Sequence, residues 1–119
     1  MVSRRAWSIH FNAGKATFSP DAERLLNQLS RELLVASGTV VEVHGHTDNQ
    51  GSSATSMPLS EARAFAVKSW LEQKAPINFP SGRIRVFAHG DTNPIAPNST
   101  PEGRAQNRRV EIVTGTTSA

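Results

Sequence analysis

The most constraining feature of this 119-residue sequence is an alternation between segments of helical and of strand periodicity. Residues 5–11 and 39–46 alternate apolar and polar side chains, as half-buried strands do. Between them, apolar residues recur at the spacing of an amphipathic helix, at Ala22, Leu25, Leu26, Leu29 and Leu33. A chain whose period changes in this way is expected to pack helices onto a sheet.

The rest of the sequence continues the alternation. Further elements are predicted in the order helix, strand, short helical turn and strand, at residues 59–74, 83–89, 102–106 and 109–114. The first helix starts at Ser19-Pro20, and residues 47–58 form a polar loop. We predict an α/β fold, a two-layer β-α-β-α-β-β sandwich with two main helices packed on a four-stranded mixed sheet. Strands joined through helices should be parallel neighbours, and the last strand antiparallel.

Length and composition favour one domain covering residues 1–119, with a core at 5–114 and a polar tail at 115–119. The absence of cysteine excludes disulfides and thiolate metal sites. No apolar run approaches the roughly 18 residues of a membrane span, so we expect no membrane insertion of this domain. Nothing resembling a signal peptide precedes the first strand, and a missing N-terminal part is expected to supply the tether.

The formal net charge of +3 and a pI near 10.2 suit an anionic partner. A basic nucleic-acid-binding module is therefore one alternative. The basic residues are scattered, however, and aromatic residues make up 6 % of the chain with no tyrosine. The sequence therefore has few aromatic side chains on which nucleic-acid bases could stack.

Arg63 is the unexpected residue of the second predicted helix. Helical spacing places it within the apolar stripe, with Leu59 one turn before it and Ala66 and Val67 after it. A guanidinium group among packed apolar side chains needs an anion or a carbonyl group to satisfy it. Two structural explanations stay open: the side chain snorkels past the core, or it closes an internal salt bridge.

Asp48 offers a functional explanation. It lies just beyond the second strand, in the loop that leads to the helix of Arg63. A carboxylate and a guanidinium group on one rim can clamp a zwitterion, with Asp48 taking an ammonium and Arg63 a carboxylate. The pattern equally allows the two side chains to bridge each other.

Three motifs, in this order and spacing, resemble the OmpA-like C-terminal domain family. They are GHTDN at residues 45–49, LSEARA at 59–64 and GRAQNRRVEI at 103–112, accompanied by Gly90 and Pro94. The family includes the peptidoglycan-associated lipoprotein and stator proteins of the MotB type. The likeness extends over about residues 5–114.

This resemblance implies a non-enzymatic module without cofactors. Its partner would be peptidoglycan, bound through the diaminopimelate of the stem peptide, and its role the anchoring of a parent envelope protein to the cell wall. The family's aspartate and helix arginine fall on Asp48 and Arg63, and the first arginine of the NRR motif falls on Arg108. The expected location is the periplasmic face of a Gram-negative-type envelope. A homodimer is left open.

The resemblance also suggests which residues line the pocket. They are Gly14, Thr47, Gln50, Ser56 and Leu59. Ser56 departs from the family, which usually has asparagine at this position. Serine still forms hydrogen bonds but reaches less far, so stem-peptide preference is expected to differ.

A zinc site is the second alternative. Histidines two apart share a face of a strand, and His44, His46 and Asp48 form an HxHxD run typical of metallo-hydrolases. His89 on the next strand could supply a further ligand. Asn49 stands where such enzymes usually have another histidine, and no general base is identifiable.

Overall fold

Four strands and three helices form the fold of this chain, which a computed structural model describes for residues 4–12, 14–35, 40–49, 53–75, 79 and 82–115. The strands are β1 (Arg4–His10), β2 (Val40–Gly45), β3 (Ile84–Ala88) and β4 (Arg109–Gly115). The helices are α1 (Ala22–Val35), α2 (Ser53–Lys74) and α3 (Pro101–Asn107). The predicted α/β fold, with two main helices on a four-stranded mixed sheet, is confirmed.

The strands are arranged in the order β1-β4-β2-β3. β4 is antiparallel to both of its neighbours, whereas β2 and β3 are parallel. The expectation that helix-linked strands are neighbours is therefore right for β2 and β3 but wrong for β1 and β2. β4 lies between these two strands and pairs with both of them. Its pairing with β1 covers the whole strand, from Arg4 opposite Gly115 to His10 opposite Arg109.

The core lies between the sheet and the helices. α1 packs on β1, and α2 packs on β2 and β3. The alternation in β2 places Val41 and Val43 on the buried face, as its period of two predicts. The fully buried apolar side chains include Ile9, Leu26, Leu29, Val41, Val43, Val67, Leu71, Val110 and Ile112.

Two helix boundaries differ from those predicted. α1 begins at Ala22, after a turn in which the Ala22 amide donates to the carbonyl oxygen of Ser19. α2 begins at Ser53, six residues before the predicted start, and includes Pro58. The added turns lie against the loop after β3, where Met57 occupies the space that a side chain at Gly90 would need. Packing therefore outweighs the local helix-breaking tendency of proline.

None of the helices in the described part of the chain has the length and apolar character that a membrane span requires.

Candidate functional site

One edge of the sheet brings together the ends of β1 and β2 and the start of β4. The Phe11 amide donates to the carbonyl oxygen of Arg108 at 3.0 Å, and the His46 amide donates to that of Arg109 at 2.8 Å. Arg108 therefore lies between the residues that follow β1 and those that follow β2. This order places three sequence-distant segments, around residues 12, 48 and 108, along one rim.

Arg63 reaches this rim from α2 and is completely buried. Its guanidinium group donates three hydrogen bonds of 2.9–3.1 Å to backbone carbonyl oxygens, those of Lys15 from Nε, His46 from Nη1 and Asn12 from Nη2. These carbonyl groups belong to the loops after β1 and β2. Arg63 thus joins the two loops beneath the rim, and the expectation that its charge needs carbonyl or anionic partners is met by carbonyl groups.

The electrostatic surroundings of Arg63 include Asp48 and Arg108. Burial lowers the pKa of Arg63 to about 10, while the negative charge of Asp48 raises it and the positive charge of Arg108 lowers it. The group is still protonated at neutral pH. Within the described residues Arg63 forms no ion pair with Asp48, so the sequence-based alternative of a direct bridge between these two side chains is wrong.

Asp48 pairs with Arg108 instead. Arg108 Nη1 donates to Asp48 Oδ2 at 3.0 Å, and the two side chains are 18 % and 9 % exposed. The structure therefore brings the candidate residues Asp48, Arg63 and Arg108 close together, with Asp48 paired to Arg108 and not to Arg63. A negative side chain lies on the rim with one cation beside it and a second, covered cation close by.

The other predicted pocket residues differ in burial and in position. Thr47 is buried, its amide donates to the Gly90 carbonyl oxygen at 2.8 Å, and its Oγ1 has no hydrogen-bond partner among the described residues. Ser56 is buried and Leu59 half-buried, both on α2. Gly14 is exposed with a φ of 66°, in the loop whose carbonyl groups hold Arg63. Gln50 lies outside the described residues.

Two residues of the site could not be found from the sequence. Asn12 and Lys15 contribute only their backbone carbonyl oxygens to Arg63. Because any amino acid supplies that group, residue identity carries no signal for this role. The only indication in the sequence is that a turn follows β1 at this point.

The three histidines form a stacked group rather than a metal centre. His44 Nδ1 lies 2.8 Å from His89 Nε2, and His44 Nε2 lies 3.0 Å from Glu42 Oε1. His46 stacks on His89 with a centroid distance of 4.8 Å. In the part of the chain that the structure describes, no three His, Cys, Asp or Glu side chains are placed to hold a metal ion. The zinc alternative at His44, His46 and Asp48 thus finds no support.

The positive charge is partly internal. Arg63, Arg83 and Arg109 are all buried, and Arg109 Nε donates to Glu111 at 2.7 Å. Among the described residues, these three arginines therefore add little to a basic surface of the kind that binds a phosphate backbone.

Comparisons with known proteins agree with this architecture. The model of the OmpA family matches residues 10–108. Outer membrane protein A of Bordetella avium is 40 % identical over 102 residues, covering 86 % of this chain and 51 % of that protein. The peptidoglycan-binding protein ArfA of Mycobacterium tuberculosis is 39 % identical over 105 residues, covering 88 % of this chain and 31 % of that protein. The chain thus spans about half or less of these two relatives.

Solved structures show the same fold. The cell wall anchor of the type VI secretion system (T6SS) from Pseudomonas aeruginosa superposes with a TM-score of 0.78 at 30 % identity, covering 96 % of this chain and 82 % of that one. The peptidoglycan-associated lipoprotein from Burkholderia pseudomallei gives a TM-score of 0.80 at 24 % identity, covering 90 % and 88 %. At that identity the second comparison speaks for the fold alone.

Proposed function

This chain belongs to the OmpA family, and from that premise we propose that it binds peptidoglycan through the diaminopimelate head group of the stem peptide. Asp48, Arg63 and Arg108 are the binding residues. The module is non-enzymatic, acts on the periplasmic side of the cell envelope and anchors a longer parent protein to the wall. The names of the mycobacterial relative and of the Pseudomonas anchor support this role.

The observation that carries the proposal is a carboxylate on the rim, Asp48, that is paired with the guanidinium group of Arg108 and lies near the buried guanidinium group of Arg63. The free end of diaminopimelate is a zwitterion, with an ammonium and a carboxylate on one carbon. Asp48 accepts from the ammonium, and a guanidinium group donates to the carboxylate. Charge-assisted hydrogen bonds of this kind contribute roughly 1.5–3 kcal/mol each.

Arg63 is the guanidinium group assigned to the ligand carboxylate. It has five N–H donors, of which three are used by the carbonyl groups of the two loops. One N–H on each of Nη1 and Nη2 is left for a ligand. Because Arg63 is covered in this structure, binding requires the side chains above it to move aside.

Arg108 holds Asp48 in place until the ligand arrives. In the unliganded chain the two side chains neutralise each other at 3.0 Å. The ammonium then binds a carboxylate that is already oriented and largely removed from solvent. This preorganisation reduces the entropic cost of binding.

The direct test is co-sedimentation with purified sacculi whose stems contain diaminopimelate. Asp48→Asn keeps the shape of the side chain and removes its charge, and Arg63→Ala removes the second contact. Asp21→Asn is the matched control, since Asp21 is exposed on the surface near the start of α1. All variants are first checked for folding by circular dichroism.

We expect wild type and the Asp21 variant to sediment with sacculi and both site variants to stay in solution. Free diaminopimelate should release the wild type, and lysine-containing sacculi should retain it less. Retention of folded Asp48 and Arg63 variants at the wild-type level would overturn the proposed site. Equal retention by the two kinds of sacculi would overturn the diaminopimelate assignment.

A further inference from the structure

A cavity of about 300 Å³ lies on the side of Arg108 that faces β1. Its lining comes from the end of β1, from the turn before α1 and from α3, namely His10, Phe11, Asn12, Ser19, Ala105 and Gln106. Arg108 completes the wall. The cavity and the diaminopimelate site therefore share the side chain of Arg108 and the start of the loop after β1.

The hydrogen bonding of Arg108 leaves one edge of its guanidinium group unused. Nη1 donates to Asp48. Nε is buried and has no acceptor among the described residues. Nε and Nη2 form the edge that can bind a carboxylate side-on through two parallel hydrogen bonds. A buried donor without an acceptor is unfavourable, so this edge is suited to a ligand oxygen.

The lining of the cavity is compatible with an anion. The pKa of His10 is lowered, first by burial and then by the positive charges of Arg109 and Arg108. The imidazole therefore contributes no positive charge at physiological pH, and the two nearby arginines, Arg108 and Arg109, are each paired with a carboxylate, Asp48 and Glu111. A carboxylate entering the cavity meets no acidic side chain among its lining residues.

The remaining walls select for a small residue. Phe11 and Ala105 are apolar, and Asn12, Ser19 and Gln106 bear groups that can hydrogen-bond a peptide unit. The volume lies at the lower end of the roughly 300–1,000 Å³ typical of ligand pockets. It suits one or two small residues better than a bulky side chain or a sugar.

We propose that this cavity is a second subsite, which binds the C-terminal carboxylate of a short peptide ending in a small residue, with Arg108 as the carboxylate contact. This inference rests on the proposed function, because the peptide meant is the continuation of the stem beyond diaminopimelate. The chain would then distinguish stems that end in a free alanine from stems in which that carboxylate is absent or amidated.

The test uses calorimetric titration of the full chain with three ligands: free diaminopimelate, diaminopimelyl-alanine, and the same dipeptide with a C-terminal amide. The free-acid dipeptide should bind about tenfold more tightly than the amide, since one charge-assisted contact is lost. This comparison requires no substitution and is therefore independent of whether any variant folds.

A variant then locates the effect. Ala105→Leu narrows the cavity without changing Asp48, Arg63 or Arg108, and should reduce the tenfold preference to less than about twofold while leaving diaminopimelate affinity unchanged. Ala62→Leu is the matched control, because Ala62 is exposed on α2 and absent from the cavity lining. It should retain the preference.

The outcomes separate the two proposals. If diaminopimelate binds but acid and amide dipeptides bind equally, the subsite is wrong and the proposed function stands. A folded Ala105→Leu variant that keeps the full preference also overturns the subsite. If the wild-type chain binds none of the three ligands, the proposed function fails, and the subsite fails with it.

Discussion

Asp48 and Arg108 form an ion pair with an Oδ2–Nη1 distance of 3.0 Å, although sixty positions separate them in the sequence. The pair exists because β4 lies between β1 and β2, which brings the residue before β4 beside the loop after β2. Both side chains are largely buried. Their charges act on Arg63, whose pKa is raised by Asp48 and lowered by Arg108. The ion pair is therefore expected to contribute to the stability of the fold.

A double-mutant cycle should detect this ion pair. Asp48→Ala and Arg108→Ala are each expected to destabilise the fold by about 1–3 kcal/mol, because each leaves a partly buried charge without its partner. The coupling energy in the double variant should be about 1 kcal/mol in urea unfolding. The half-buried Lys68–Glu72 pair on α2, at 2.8 Å, is the control and should give about 0.3–0.5 kcal/mol. Additive effects at Asp48 and Arg108 would contradict the pairing.

Arg63 should prove structural as well as functional. Arg63→Met leaves three carbonyl oxygens without their donor in a buried site, and we expect a loss of about 3–5 kcal/mol in urea unfolding. Arg63→Lys keeps the charge but cannot reach three divergent carbonyl groups, so it should lose about 2 kcal/mol. Arg24→Met on the exposed face of α1 should change stability by less than about 0.5 kcal/mol. A folded Arg63→Met variant of wild-type stability would show that these bonds are dispensable.

The fold should lose stability in mild acid because of His46. Burial and the positive charge of Arg109 lower its pKa from 6.5 to about 4 in the folded chain. The unfolded chain therefore binds a proton that the folded chain does not, between pH 6.5 and pH 4. The contribution of His46 is fully present above pH 6.5 and is lost as the pH falls to 4, by on the order of 2–3 kcal/mol.

Urea unfolding at pH 7.5, 5.5 and 4.5 measures this loss. Substituting His46 with Asn removes the titrating group, and the free energy of unfolding should then vary less over the same range. His10→Asn is the comparison: burial also lowers the pKa of His10, but this side chain is less buried than His46, so its removal should reduce the pH dependence less. If the His46 variant shows the same pH dependence as wild type, the protonation of another group is responsible.

Gly45 should tolerate no side chain. A Cβ at this position would collide with the carbonyl group of Ser60 on α2, so Gly45→Ala forces the helix away from β2 and should cost at least about 2–3 kcal/mol. Gly14→Ala is the comparison, since it has open space but a φ of 66°, and should cost about 1 kcal/mol. Thermal unfolding of the two variants checks the order. Equal midpoints would indicate that α2 can shift without loss.

Much of the fold could be predicted because it depends on local patterns. The buried faces of β2 and α1 follow from periodicity, and the position of Arg63 in an apolar stripe already required a polar partner for its guanidinium group. The start of α2 could not be predicted, because Pro58 is a local stop signal and nothing in the local sequence shows that the turn before it packs against Gly90. The strand order could not be predicted either, since no local sequence pattern indicates that β4 lies between β1 and β2.

Periodicity and loop position in the sequence identified Asp48 and Arg63 as candidate binding residues, and the resemblance to the OmpA-like family added Arg108. How these side chains pair depends on the arrangement of the strands in space. Asp48 meets Arg108, and Arg63 binds the backbone of two loops, because a sheet edge brings segments together according to strand order and not according to their distance along the chain. Binding by backbone carbonyl groups cannot be read from the sequence, since every residue type has a carbonyl group. A cavity cannot be read from it either, because its walls come from segments that are distant along the chain.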